Sequence, residues 1–452
     1  MTNPLPVRHL ASAITALFLL ILPAWMPAPA AERIIGLPDG DELTVEIHPA
    51  NPPAAAGTVV WLPSEHGIQP AEREVVTALA RSVAPAGFEL WLPDYYSSLF
   101  LPPGSESLER AAAPALLAVL ETLRHRHPRQ PVFVVAANKA AAAALQSLRQ
   151  WQQNDGPLRN IGLILLNPDV NRGTPTPGQA LRYRPVVTMS NAAIHLIQAE
   201  KSPWRLSLHR LAEALGNGGS DVFVQRLAGV RDRFWFRPDA DGAEEALSRR
   251  LPRIIIAAMR RLAPYMEKPR QAAPATRPDG ETMISTKRER GLTLYRGAQG
   301  RRLALPDLDG RRHDLSDWHG KVVLLNFWAG WCPPCVHELP SMVALKRQLR
   351  DAPFEIVAVN LGESVDEIQA FLARHPVNFP VLRDATGETA RQWRVGAYPT
   401  SFLIDRNGKI RYGLAGGHDW QSPETVRQIR SLLEQPAALQ PRLPKQSAAT
   451  SS

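Results

Sequence analysis

The chain is 452 residues long, enough for two domains of ordinary size, and 44% of its residues are hydrophobic. Charged residues make up 21%, which excludes wholesale disorder. The formal charge of +9 comes from scattered arginines, without a dense basic block or interleaved aromatics. That pattern argues against a nucleic-acid partner and is compatible with weak, peripheral attraction to an anionic membrane surface. At the N-terminus, Arg8 and His9 precede an apolar run from Leu10 to Leu22. Pro23 ends the run, and Ala28-Pro29-Ala30 offers small residues for cleavage. Residues 1–31 are therefore expected to be a signal peptide, cut after Ala30 or Ala31, because the run is short for a membrane span. An uncleaved anchor is the alternative. Either way the mature chain is expected in the periplasm or another extracytoplasmic space. No other stretch approaches transmembrane length.

Residues 33–266 alternate apolar strands with helical patterns. Strands are expected at Thr58–Pro63, Gly87–Leu92, Pro131–Ala136, Ile161–Leu166, Ala193–Gln198 and Asp221–Leu227. Helices are expected at Glu72–Ala84, Leu108–Arg124, Ala140–Trp151 and Glu244–Leu262. Such alternation predicts an α/β domain with a mostly parallel, doubly wound sheet.

The strand ending at Val135 runs into Ala136-Ala137-Asn138-Lys139-Ala140 and then a helix. In position this resembles the strand-to-helix elbow of the α/β-hydrolase fold, which carries G-x-S-x-G. Asn138 stands where that fold has its nucleophilic serine, and an amide cannot make the attack. The flanking glycines are missing too. After the strand at Ala193 the nearest acid is Glu200, and Gly229-Val230-Arg231-Asp232 supplies no histidine. Ser64 and His66 lie near the fold's oxyanion-hole loop and suggest a different nucleophile and base, with backbone positioning as the alternative. The resemblance thus implies a catalytically inactive domain retained for docking or binding.

Pro269, Pro274, Pro278 and Gly280 punctuate an expected linker at 267–290. A second domain is expected at 291–434 and a disordered tail at 435–452. The second domain holds Cys332 and Cys335, the only two cysteines of the chain, in the run Trp331-Cys332-Pro333-Pro334-Cys335. An apolar strand, Val322–Trp328, precedes the run, and a helix over Val336–Leu349 is expected after it. Thiols between a strand and a helix N-terminus are placed for thiol–disulfide exchange, because the helix end favours a thiolate. Stabilisation is a poor reason for so short a loop. Zinc would need about four ligands; no further cysteine exists and His337 has no spaced partner, so no metal and no cofactor are expected. A pair of inert thiols is the remaining alternative.

The domain resembles the TlpA/ResA group of thioredoxin-fold proteins. Leu315 to Lys321 matches the lead-in to the first core strand, and Glu338 and Pro340 lie on the following helix. Phe354–Leu361 reads as the next strand. Val365–Arg374 with Phe379–Leu382 matches the group's central insertion, and Gly396–Asp405 its loop-to-strand segment. Asn407-Gly408 turns into a strand over Lys409–Leu414. The resemblance implies that Cys332 is the exposed nucleophile and Cys335 the resolving thiol. The two intervening prolines remove backbone N–H groups beside the active sulfur. Glu338 shares a helix face with Cys335; in the group a glutamate here tunes the thiols and takes up a proton, and a solvated helix acid is the other reading. Asn326 stands where thioredoxin has a buried aspartate, which shifts proton transfer toward Glu338; a hydrogen-bonded strand amide fits it equally. Pro399 corresponds to the cis-proline facing the dithiol, with a trans turn proline as the alternative. Tyr398 before it is expected to pair its backbone with substrate, and its side chain to shape selectivity. Trp331 is expected on an apolar substrate-facing rim and Trp328 in the core.

The function expected from these readings is an exported thiol–disulfide oxidoreductase. It would reduce disulfides of specific exported proteins, as in cytochrome c maturation, and draw electrons from a membrane thiol-reducing donor. A disulfide oxidase or isomerase is the runner-up. A non-enzymatic binding protein with a hydrolase-derived docking domain is a different class, and a hydrolase a third.

Overall fold

A computed structural model describes residues 30–51, 56–274 and 291–436. The expected signal segment up to residue 29, residues 275–290 of the linker and the tail from 437 lie outside the described residues.

Eight strands of the first domain form one sheet in the order β1-β2-β4-β3-β5-β6-β7-β8. They are β1 (Ala31–Gly36), β2 (Glu42–His48), β3 (Gly57–Leu62), β4 (Phe88–Pro93), β5 (Val132–Ala137), β6 (Ile161–Leu166), β7 (Ala193–Lys201) and β8 (Asp221–Arg231). The pairs β1–β2 and β2–β4 are antiparallel and the other five pairs are parallel. The helices are α1 (Pro70–Val83), α2 (Tyr95–Ser98), α3 (Ser105–Arg126), α4 (Ala140–Asn154), α5 (Leu208–Asn217) and α6 (Gly242–Met266).

Alternation along β3 divides the core between two faces. Val60 and Leu62 join the cluster that holds α3 and α4, whereas Val59 and Trp61 join the one that holds α1 and α6. The hairpin β1–β2 was not expected. Leu43, Val45 and Ile47 point inward between half-buried Thr44, Glu46 and His48. That alternation gives no continuous apolar run. Helix α5 was also missed, yet two parallel neighbours such as β7 and β8 need a crossover.

Past α6, Arg270 pins the chain back on the first domain. Its guanidinium pairs with Asp221 and donates to the carbonyls of Gly219 and Tyr265. Leu158 and Arg270 bridge through their backbones.

The second domain has the expected thioredoxin-like fold. Its strands are β9 (Thr293–Leu294), β10 (Ala304–Pro306), β11 (Arg312–Asp314), β12 (Val322–Trp328), β13 (Phe354–Leu361), β14 (Val381–Asp384), β15 (Thr400–Ile404) and β16 (Ile410–Ala415). Its helices are α7 (Pro333–Gln348), α8 (Val365–Arg374), α9 (Glu388–Gln392) and α10 (Pro423–Leu433). Six strands run in the order β14-β13-β12-β15-β16-β9, with β12, β13 and β14 parallel and the rest antiparallel. The short hairpin β10–β11 stands apart, and a bridge from Asp307 to Leu382 lies along β14.

Helix α7 begins at Pro333 rather than Val336, so Cys335 lies in its first turn. Proline suits the first helical positions, where an N–H would have no partner.

Candidate active site

Cys332 caps the N-terminus of α7, and Pro333 and Pro334 follow as its first residues. Cys332 and Cys335 are joined as a disulfide. The backbone N–H groups of Cys335 and Val336 both donate to the Cys332 carbonyl.

The expectation of an exposed nucleophile is corrected here. Cys332 is only 5% exposed and belongs, with Cys335, to the apolar core of the second domain. The two prolines take the outward positions at the helix end, and the bond to Cys335 turns Cys332 inward.

Glu338 lies one turn beyond Cys335 and is 3% exposed, so it is no solvated helix acid. Its Oε1 accepts from Asn326 Nδ2 at 2.8 Å. Its Oε2 accepts from the backbone N–H of His418 at 3.1 Å and from Trp420 Nε1 at 3.2 Å. Burial raises the carboxyl's pKa from 4.5 to about 7, against the opposing pull of those donors. The group therefore exchanges a proton near neutral pH beside the buried cysteine.

Asn326 Nδ2 also donates to Ser401 Oγ at 2.9 Å, across the β12–β15 register, and Asn326 Oδ1 has no partner among the described residues. Both readings of Asn326 thus meet in one network. His418, Trp420 and Ser401 were not anticipated. The available signal was the double glycine Gly416-Gly417 before them: a Cβ at Gly417 would sit 3.1 Å from the Pro334 carbonyl oxygen. A side chain at Gly417 would crowd the dithiol helix at this point.

Glu363 is a second carboxylate the sequence reading overlooked. Its Oε2 accepts from Gly330 N–H and from Asn360 Nδ2, each at 2.6 Å, which ties the end of β13 to the loop before Cys332. Burial also pushes its pKa up.

The Tyr398–Pro399 peptide is cis, as the resemblance implied. Tyr398 is 8% exposed and meets Trp331 edge to face, with ring centroids 5.7 Å apart. Its side chain is buried rather than presented to solvent. Trp331 is half-buried against the core cluster, and Trp328 is core.

The first domain contributes the cover. Leu206 packs against the apolar cluster of the second domain. Leu181 and Pro175 crowd Gly396, where a Cβ would lie 2.7 and 2.8 Å from them. Lys201 Nζ pairs with a Glu367 carboxylate oxygen at 3.5 Å. Arg301 donates to the Gly178 carbonyl at 2.8 Å.

In the first domain Asn138 has φ 50 on the turn between β5 and α4, a left-handed conformation that asparagine tolerates. Its Nδ2 is buried without a partner. Ser202 and Asp232 follow β7 and β8, and Glu200 lies within β7, where its carboxylate accepts from Gly229 N–H. Ser64 is fully buried, and its hydroxyl accepts from the His66 backbone N–H rather than meeting the imidazole. The His66 ring instead lies 3.2 Å from an Arg233 nitrogen; burial first, then Arg233 and Lys139, lower its pKa. No serine–histidine pair forms there. Among the described residues no cluster of three or more metal-binding side chains occurs.

Comparison with known proteins bears on the second domain. Residues 297–413 match the AhpC/TSA family. The chain is 42% identical over 112 residues to the thiol-disulfide oxidoreductase ResA of Geobacillus thermodenitrificans, covering 25% of this chain and 64% of that relative. It is 34% identical over 137 residues to ResA of Bacillus thuringiensis subsp. konkukian, covering 28% of this chain and 79% of that relative. A solved thiol:disulfide interchange protein of the thioredoxin family from Chlorobium tepidum TLS is 25% identical, with a TM-score of 0.28, covering 31% of this chain and 98% of that one. The chain spans just under two thirds of the first of these relatives, at 64%.

Proposed function

We propose, because the chain belongs to the ResA family of thiol-disulfide oxidoreductases, that Cys332 and Cys335 reduce disulfides of specific exported proteins. The observation that carries this reading is the buried Glu338 carboxyl, with a pKa of about 7, one turn beyond a resolving cysteine. In the reduced enzyme the Cys332 thiolate attacks a substrate disulfide. One substrate sulfur bonds to Cys332 and the other leaves as a thiolate that takes up a proton. Cys335 then loses its proton to the Glu338 carboxylate and attacks the Cys332 sulfur. The substrate departs with both electrons as a dithiol, and the Cys332–Cys335 disulfide remains. A membrane thiol-reducing protein would restore the dithiol. Cytochrome c maturation, where thiols must be free, is the kind of pathway this serves. Export is supported by Arg8, His9 and the apolar run that follows. Among the described residues no helix is long and apolar enough to cross a membrane.

The reduction potential of the Cys332/Cys335 couple tests the direction. A strongly reducing value, near that of thioredoxin at about −270 mV, is expected; a value near the −120 mV or so of DsbA would replace the reductase by an oxidase.

We read residues 33–266 as a hydrolase-derived docking domain without hydrolytic chemistry. Support comes from the strand order and from Asn138 in a left-handed turn after β5. A serine-reactive fluorophosphonate should leave Ser64 unlabelled; labelling would restore the hydrolase reading.

A further inference from the structure

The loops that follow β6 and β7 leave the carboxyl edge of the first sheet, where open α/β sheets hold their ligands. Here those loops carry Pro175, Leu181, Arg205 and Leu206 onto the second domain beside the cis-proline loop. Arg205 is the informative residue. A Cβ on Gly362 would lie 2.8 Å from its Nη2 atom, and one on Gly387 3.6 Å away. Both glycines have left-handed φ, 77 and 73 degrees, so the seat exists because no side chain fills it.

The seated guanidinium has no carboxylate partner among the described residues, although it is half-buried and acts electrostatically on the Tyr398 phenol. Asp384 and Asp232 act on the same phenol, but among the described residues neither pairs with Arg205. Lys201 is paired with Glu367, and Arg391 with Glu388. Glu363 and Asp384 are turned to backbone N–H groups of Gly330 and Ala390. Among the described residues Arg383 donates to the Glu363 carbonyl and forms no ion pair. A half-buried arginine with a free planar fork suits a carboxylate.

We propose that the first domain forms one wall of the substrate groove and that Arg205 on this wall binds a carboxylate of the disulfide-bearing chain reaching Cys332. This rests on the exchange reading above and adds the partner's chemistry: an acidic stretch beside the disulfide.

The test uses the reduced full-length protein and two synthetic peptides of equal length. Each holds one disulfide loop, flanked by glutamates in one peptide and by lysines in the other. The wild type should favour the acidic peptide in kcat/KM, less so as salt is added. Arg205→Glu should swing the ratio about tenfold toward the basic peptide, and Arg205→Gln should fall between. Arg350→Glu makes the same change in net charge. Arg350 is exposed and precedes β13, at the end of the sheet opposite the dithiol, so this variant should keep the wild-type ratio. Equal turnover of both peptides by the wild type, or a ratio unmoved by Arg205→Glu, overturns the role of Arg205 and leaves the exchange reading standing. Failure of the wild type to exchange with either peptide overturns both.

Discussion

Replacing Glu338 by glutamine should make the protein more stable at alkaline pH and change how its stability responds to acid. Each tenfold in proton affinity is worth about 1.4 kcal/mol. A carboxyl held at about 7 in the fold, against 4.5 when unfolded, costs the native state about 3 kcal/mol once it ionises. The sign follows from which state keeps the proton. Below about pH 4.5 both states are protonated and the group contributes no difference. Between 4.5 and about 7 the unfolded chain loses its proton first, so wild-type stability falls through that window and stays low above it. The amide of Glu338→Gln cannot ionise and removes this slope. Its oxygen can accept from His418 N–H and Trp420 Nε1, while its NH2 faces Asn326. Asn326 has a spare Oδ1, so turning its amide over repairs the contact at a cost of about 1 kcal/mol. The net expectation is a variant about 2 kcal/mol more stable at pH 8 and no more stable than wild type at pH 4. Urea denaturation of the oxidised full-length protein, followed by tryptophan fluorescence from pH 4 to 8, measures it. Parallel stability profiles for wild type and variant would refute the argument.

Three further outcomes are expected. Cys335→Ala should accumulate mixed disulfides through Cys332 when mixed with disulfide-bearing proteins, visible as reducible bands on non-reducing gels; Cys332→Ala should not. Leu325 is fully buried at the centre of the second sheet, so Leu325→Ala should cost about 2–5 kcal/mol in chemical denaturation. Arg270→Ala leaves the Gly219 and Tyr265 carbonyls without this donor and half-exposed Asp221 without its cation, and should cost about 1–3 kcal/mol in the first domain. An unchanged unfolding midpoint would mean that α6 does not need this anchor.

The elements that the sequence predicts best are those buried on both faces. β6, β12 and β13 fall on the residues expected, because Ile161–Leu166, Val322–Trp328 and Phe354–Leu361 are largely apolar runs, broken only by Gly162, Asn326, Glu355 and Asn360. Half-buried elements were harder. β2 alternates apolar and polar residues, and α5 places Leu208, Leu211 and Leu215 inward at helical spacing. Both patterns were present but lay outside the conspicuous runs. Cys332, Cys335 and Glu338 were legible because their spacing is local. His418 and Trp420 were not, since their approach to Glu338 depends on how the chain after β16 folds back over α7. The covering of Tyr398 was equally hidden, because residues from the other domain press on Gly396 beside it. No local pattern carries contacts between residues so far apart.

The segment that opens the second domain adds a two-residue strand at one rim of its sheet and a single bridge at the other. Thr293–Leu294 pair with β16 on one side, and Asp307 bridges to Leu382 in β14 on the other. An unshielded rim would invite extended polypeptide to join it by backbone hydrogen bonding. Those two pairings leave less of either rim open to an incoming chain.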